Sequence, residues 1–417
     1  MQMHFIELIK PGLNIDFIRW RRVAVVASLV VNVIVLFGAT VYPGLNYGVD
    51  FAGGTEMEIK FAKPVDVAAL RKEIEAAGFA SPTVQTYGPA EENAFLVRVE
   101  RVASLSKEKA EALHQQIATK FSAQSLSKFG FDPEVGDQVD LVFKDPVDPA
   151  ALRAAIEAEG VQVKEGETGL RIPPVREGMG HEYVILAKGP GDKIGAALKA
   201  KFGEQDVDVR RTEYVGPQVG RQLRIDGIKA VLYAIGMILV YVGLRFDFRF
   251  APGVVIALVH DAIITLGYFV FSRREFNLVS ITVILTVVGY SVNDTIVVYD
   301  RIRENGHRFK GKPMRELINL SINEMLGRTI LTSGATALSL VGLLIYGVGT
   351  IFDFSAAMAI GIISGTYSTW YIAAPTTIWI EEISQDHEQR QRLNGKARLS
   401  PVERSGKQES SVPAARG

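Results

Sequence analysis

Two acids and one guanidinium stand inside long apolar runs, where a bilayer would bury them. Asp261 follows His260 in the middle of one run, Asp294 follows Asn293 in a second, and Arg328 opens a third. A charge at bilayer depth is costly, and such residues are kept for proton, ion or substrate paths. On neighbouring spans Asp294 and Arg328 reach similar depth. Ion pairing and loss of water pull a carboxylate's proton affinity in opposite directions, and that balance suits an acid that loads from one side and unloads to the other. We therefore expect a proton relay of Asp294, Arg328 and Asp261, supported by Asn293, His260 and Tyr290. A plainer reading stays open: a buried ion pair that fixes helix register, with His260 and Asp261 only bonding across helices. Asp300, beside Arg301 and Arg303, reads as a solvated cluster at the headgroup boundary.

The elements that must hold these groups are spans. About 20 apolar residues cross hydrocarbon, and residues 23–42 meet that length after Arg19, Arg21 and Arg22. No small-residue cleavage site follows, so this is read as a retained first span rather than a signal peptide. Five more spans are expected at 228–244, 251–271, 278–299, 329–349 and 354–380. Gly361 and Gly365, four apart on the last, suit close helix packing. The fold class is thus a multi-pass α-helical membrane protein of six spans with an extracytoplasmic α+β domain at 43–227. Basic residues at Lys10 and Arg19–Arg22, at Arg245 and Arg249, and through the loop 300–328 all fall on one side if the spans alternate. By the charge bias of membrane loops that side is cytoplasmic. So the 1–22 segment and the 381–417 tail should be cytoplasmic, the tail disordered, and the large domain periplasmic.

That domain contains a repeat. Residues 61–78 and 143–160 agree at twelve of eighteen positions. Each copy shows a strand, a helix capped by Asp66 or Asp148 and ended by Gly78 or Gly160, two strands, a second helix and a closing strand. The order β-α-β-β-α-β predicts two tandem ferredoxin-like units, about 50–131 and 132–215. The second copy's middle strands are expected at 161–164 and 183–188. The helix-free sheet face, or an edge strand, would suit an extended polypeptide; packing on a neighbour is the alternative.

Several functions are excluded. There is no cysteine, hence no thiol catalysis and no Cys-based zinc site. His181-Glu182 lacks the second histidine of a metal helix, and no Gly-x-x-x-x-Gly-Lys loop exists for ATP. The formal net charge is zero, which gives no argument for nucleic acid. No metal or cofactor is expected beyond a proton gradient. An intramembrane aspartyl protease built on Asp261 and Asp294 would need carboxylates sharing one proton, and Arg328 would spoil such a dyad.

Four segments carry a family resemblance. Asn46–Thr55 holds Asp50, Phe51, Gly53 and Gly54, and Tyr214–Leu223 holds Gly216, Pro217 and Gly220. Gly289–Asn305 and Arg328–Ser333 complete the set. Together they resemble the SecD/SecF family of export membrane proteins, on the SecF side. The resemblance implies half of a resistance-nodulation-division bundle, completed by SecD. It implies the SecYEG channel, YajC, unfolded preprotein and membrane lipid as partners, and the proton-motive force as driver of late translocation. Asp294 and Arg328 match the family's proton-path pair. An exporter of small molecules or lipids from the same superfamily is the alternative, but those generally carry both halves in one chain. Two departures stand out: the outer domain looks doubled, and Asp247 and Phe248 replace an expected Glu and Trp.

Overall fold

Backbone inside hydrocarbon must satisfy its own hydrogen bonds, and all six apolar runs do so as helices. The structure, a computed structural model, describes residues 14–383 apart from 89, 101–102, 104, 133–136, 165–168, 175–179 and 247–248. The tail beyond 383, and with it the expected disorder, lies outside the described residues, as does the 247–248 pair. Along the chain run α1 (Arg21–Thr40), β1 (Asn46–Tyr47), α2 (Val49–Ala52), β2 (Gly54–Phe61), α3 (Val67–Ala76), β3 (Thr83–Thr86), β4 (Ala94–Val99), α4 (Lys107–Lys120), β5 (Leu126–Phe131) and β6 (Gln138–Phe143). Then follow α5 (Pro149–Ala158), β7 (Leu170–Arg171), β8 (His181–Leu186), α6 (Pro190–Phe202), β9 (Val207–Val215), α7 (Pro217–Arg245), α8 (Ala251–Ser272), β10 (Glu275–Phe276), α9 (Leu278–Arg308), α10 (Met314–Tyr346) and α11 (Thr350–Ser368). The last span continues through a π-helical turn at Thr369–Ala373 to Ile383.

α8 lies at the centre of the bundle, against α1, α7, α9 and α11. α7 and α10 keep large apolar side chains outward, among them Tyr233, Met237, Leu244, Leu338 and Tyr346. The expected loop at 300–328 is corrected: α9 and α10 run through most of it and leave only a short turn after Arg308. Hydropathy marks where a helix leaves hydrocarbon, not where it ends. Here the polar extensions hold each other, through Arg301 to Glu324 at 2.6 Å and Asn305 to Ser321 at 3.0 Å.

The repeat folds, but not in tandem. Sheet one has the order β3-β4-β2-β9 and sheet two the order β5-β6-β8-β7. The strand expected to close the first copy, β5, instead pairs with β6, and β9 closes on β2. Only a short connection separates β5 from β6, so that antiparallel pair forms at small loop-closure cost. Helices follow their strands: Leu70, Ile74, Ile194 and Leu198 of α3 and α6 share one core, while Leu113, Ile117, Leu152 and Ile156 of α4 and α5 share the other. The second unit is thus nested inside the first, and the expected boundary at residue 131/132 cuts through a hairpin. A second correction concerns 161–164, which forms only the bridge Val163–Ala187; the short strand beside β8 is β7. The caps match their motifs: Asp66 accepts from Ala69 N at 3.3 Å, and Asp148 from Ala150 and Ala151 N at 3.3 and 3.2 Å.

Sheet one's helix-free face is not open. Met57 and Ile59 point to its helices, so Glu56 and Glu58 point the other way, toward Glu275, Gly349 and Asp353 at the end of the bundle. On the corresponding face of sheet two Gln138 and Glu182 are exposed, and Asp140, Val142, Val184 and Leu186 are half-buried.

Candidate functional site

Small residues recur along one face of α11: Gly361, Ser364, Gly365 and Ser368 lie at helical spacing. A side chain at Gly361 would run into Val287, and one at Gly365 would come within 2.9 Å of Ser291 Cβ. This lets α11 approach α9 closely, and α8 presents Asp261 to the seam. Ser364 donates to Asp261 Oδ1 at 2.6 Å. Ser291 and Ser368 donate to Oδ2 at 2.6 and 2.7 Å. His260 Nδ1 lies 3.0 Å from Oδ1, and its ring faces Tyr367 at 6.0 Å. Asp261 is fully buried, at 0% exposure. Both oxygens are satisfied, as a buried carboxylate requires. A hydroxyl donates or accepts as its rotor turns, so each of these three bonds can reverse its direction.

Asp294 lies further along α9, at 6% exposure. Ser333 of α10 donates to its Oδ2 at 3.0 Å, and Thr366 of α11 donates to Ser333 at 3.0 Å. One acid thus ties three helices together. One turn beyond Ser291 on α9, Thr295 meets Thr369 of the last span at 2.8 Å. Tyr290 bonds Thr336 at 2.9 Å, while Asn293 is exposed on the open side of α9. Arg328 is exposed on α10. No ion pair within 4.0 Å joins it to Asp294 among the described residues. The acid reaches α10 through Ser333, more than a turn beyond Arg328, so guanidinium and carboxylate are near but not in contact. The hydroxyls at 291, 333, 364, 366 and 368 went unread in the sequence. Their signal was present: serines four apart beside the paired glycines of α11.

A second polar site lies where the outer domain meets the bundle. β1 pairs in parallel with β10. Asp50 accepts from Leu278 N at 3.0 Å and so anchors the first turn of α9. Phe51 is fully buried, against Phe276 and Tyr47. Arg224 of α7 donates to Phe51 O at 2.9 Å and stacks on Tyr47 at 4.5 Å. Gly53 has a φ of +78°, and a Cβ there would be 2.8 Å from Pro217 Cα; one at Gly220 would be 3.0 Å from Phe51 O. The glycines are needed because two backbone segments touch. Gly54 leads into β2 and Gly216 caps α7, so all seven motif residues fall in this joint.

Charge accompanies it. Glu56 of β2 faces Arg98 on β4 and Glu213 on β9. Arg98 donates to Tyr47 O at 2.5 Å and lies 3.7 Å from Glu275. Burial, then the negative charges of Glu275, Glu213 and Asp50, outweigh the pull of Arg98 and push Glu56 up to about 7. Burial also raises Glu275, against the opposing effect of Arg98.

Comparison with known proteins agrees with this architecture. Residues 194–383 match the model of "Protein export membrane protein SecD/SecF, C-terminal", and residues 43–65 match the SecD/SecF GG motif. The chain is similar to the protein translocase subunit SecF of Koribacter versatilis, 36% identical over 88% of this chain and 92% of the relative. It is 32% identical to that of Pseudomonas aeruginosa over 91% of this chain and 95% of the relative. Among solved structures it resembles SecDF, a translocon-associated membrane protein from Thermus thermophilus. The TM-score is 0.59 at 26% identity, over 89% of this chain and 39% of that one. With six membrane-length helices, the joint motifs in place and relatives matched nearly end to end, the chain belongs to the SecF family of protein translocase subunits, multi-pass membrane proteins with an accessory rather than catalytic part in protein export.

Proposed function

We propose that this subunit works in the inner membrane, both termini cytoplasmic and the outer domain periplasmic, and spends the proton-motive force on late steps of preprotein export. The observation that carries the reading is the pair of buried carboxylates, each held by reversible hydroxyl donors on the seam of α8, α9, α10 and α11. A proton arriving at Asp294 removes its charge and reverses the Ser333 and Thr366 bonds that tie α9 to α10 and α11. Arg328, without contact to the acid, is free to approach when the proton leaves. α9 begins at Asp50, so its movement reaches the outer domain through the joint. SecD, with six spans of its own, would cover the open face of α10. The helix-free face of sheet two suits an unfolded preprotein emerging from SecYEG, and YajC is a further partner. Asp294→Asn is the test. Proton-dependent stimulation of export by membrane vesicles should disappear while the protein still inserts and accumulates; undiminished stimulation removes Asp294 from the mechanism.

A further inference from the structure

The end of the bundle opposite the outer domain carries a cavity that none of this uses. α7 leaves the outer sheet at Pro217 and ends at Arg245; α8 starts at that end, at Ala251. α9 enters beside Asp50 and, after about 20 residues of hydrocarbon, reaches the same depth near Val298. A cavity of about 550 Å³ opens there, lined by Arg245, Arg249, Arg303, Phe246, Phe250 and Met314 among others. Phe246 and Phe250 are buried and form its apolar wall. Arg245 lies 3.9 Å from Asp300, and Arg249 2.8 Å from Glu381. Arg303 has no ion pair within 4.0 Å among the described residues. Among the described residues Arg245 and Arg249 each face a carboxylate, which leaves the Arg303 guanidinium as the cation turned to the cavity, with His307 beside it in the lining. Toward the hydrocarbon, Met237, Val240, Tyr241 and Leu244 form an exposed apolar strip on one face of α7.

We propose that this cavity binds an anionic membrane phospholipid, its phosphate on Arg303 with Arg245 and Arg249, its acyl chains along the α7 strip. The forked guanidinium matches phosphate oxygens, and basic pockets between spans suit anionic headgroups. Apolar and cationic walls meet at the depth where a lipid changes from chain to headgroup. A zwitterionic lipid brings its own cation and gains less. The site is independent of the proton reading.

The full chain, in nanodiscs of equal phosphatidylglycerol and phosphatidylcholine with identical chains, is examined by native mass spectrometry. Retained lipid should favour phosphatidylglycerol by about tenfold, the effect of one strong charge-assisted contact. Arg303→Gln with Arg245→Gln should remove the preference. Arg303→Lys should keep part of it, and Lys312→Gln with Arg315→Gln, on the neighbouring turn, all of it. Equal retention of both lipids, or a preference untouched in the double variant at unchanged thermal stability, overturns the proposal. So does displacement of the lipid by millimolar inorganic phosphate, which would mark a site for free anions.

Discussion

The bundle buries two carboxylates and the joint half-buries two, and they surround them differently. Asp261 and Asp294 are met by hydroxyls, Asp261 also by the His260 ring, and Arg328 stays out of contact with Asp294. Glu56 and Glu275 are met by charges, with Arg98 between them and Glu213 and Asp50 adjoining. Hydroxyl neighbours reverse at little cost and leave the proton free to come and go. Charged neighbours fix where the group sits and set the pH at which it changes. The first arrangement suits the proposed proton relay; the second suits a response to acidity.

The largest effect should come from breaking the hydroxyl cradle. Asp261→Ala removes the acceptor that Ser291, Ser364 and Ser368 share, leaving Ser364 only His260 Nδ1 at 3.4 Å and Ser368 only Gly365 O at 3.1 Å, and each buried hydroxyl left short of a partner costs about 1–3 kcal/mol. We expect the melting temperature in detergent to fall by ten degrees or more and export stimulation to vanish. Asp261→Asn keeps an acceptor and should retain the fold but not the stimulation. Loss of fold in both variants would make the site structural, and full activity in Asp261→Asn would exclude Asp261 from the relay.

Next comes the seam. Gly361→Leu forces α11 off Val287, and overpacking of this kind costs about 1–3 kcal/mol. Thermal unfolding should report that loss, and export should fall further, because the serines of α11 would be drawn away from Asp261. Equal loss in a Gly342→Leu control on the open side of α10, where a side chain meets nothing, would refute the argument from close approach.

At the joint the expectation is a pH dependence. Glu56 takes up its proton near pH 7 when folded, against 4.5 when free. Its contribution to joint stability is therefore complete below pH 4.5 and is lost as pH rises through about 7. Above that, its charge repels Glu275, Glu213 and Asp50, and only Arg98 compensates. Protection factors of β1 and β10, with the intrinsic pH dependence of exchange divided out, should fall between pH 4.5 and about 7, and Glu56→Gln should flatten the profile. A wild-type profile already flat across that window contradicts the assignment. On the proposed periplasmic placement, the acidic side of an energised membrane, this response would tighten the joint when the gradient is high.

These differences bear on what could be read without the fold. The six spans, the ionisable residues within them, the repeat and its Asp66 and Asp148 caps are local patterns, and local patterns survive in sequence. Sheet closure is not local. Both copies contain every strand needed for a tandem pair, and the choice between β5 on β2 and β5 on β6 depends on loop lengths. Asp261 and Asp294 were visible because charge is rare in apolar runs; their hydroxyl partners were not, because Ser and Thr are common in membrane helices and mean nothing until α9 and α11 are brought together. The separation of Arg328 from Asp294 depends on the rotation of α10, which matching depth along two spans does not specify.

The smallest stability change should have the most telling functional one. Asp50 makes a single bond to the first turn of α9, an arrangement worth about 1 kcal/mol. Asp50→Ala should shift the melting temperature by only a few degrees, and hydrogen exchange around Asp261 should stay as in wild type. If α9 conveys the state of Asp294 to the outer domain, however, export stimulation should fall far more than that loss of stability explains. The pH dependence of β1 exchange should persist, since Glu56 and its neighbours are intact. A variant that stimulates export as well as wild type would mean that the joint merely holds the outer domain, and that whatever the bundle does with protons is communicated by another route.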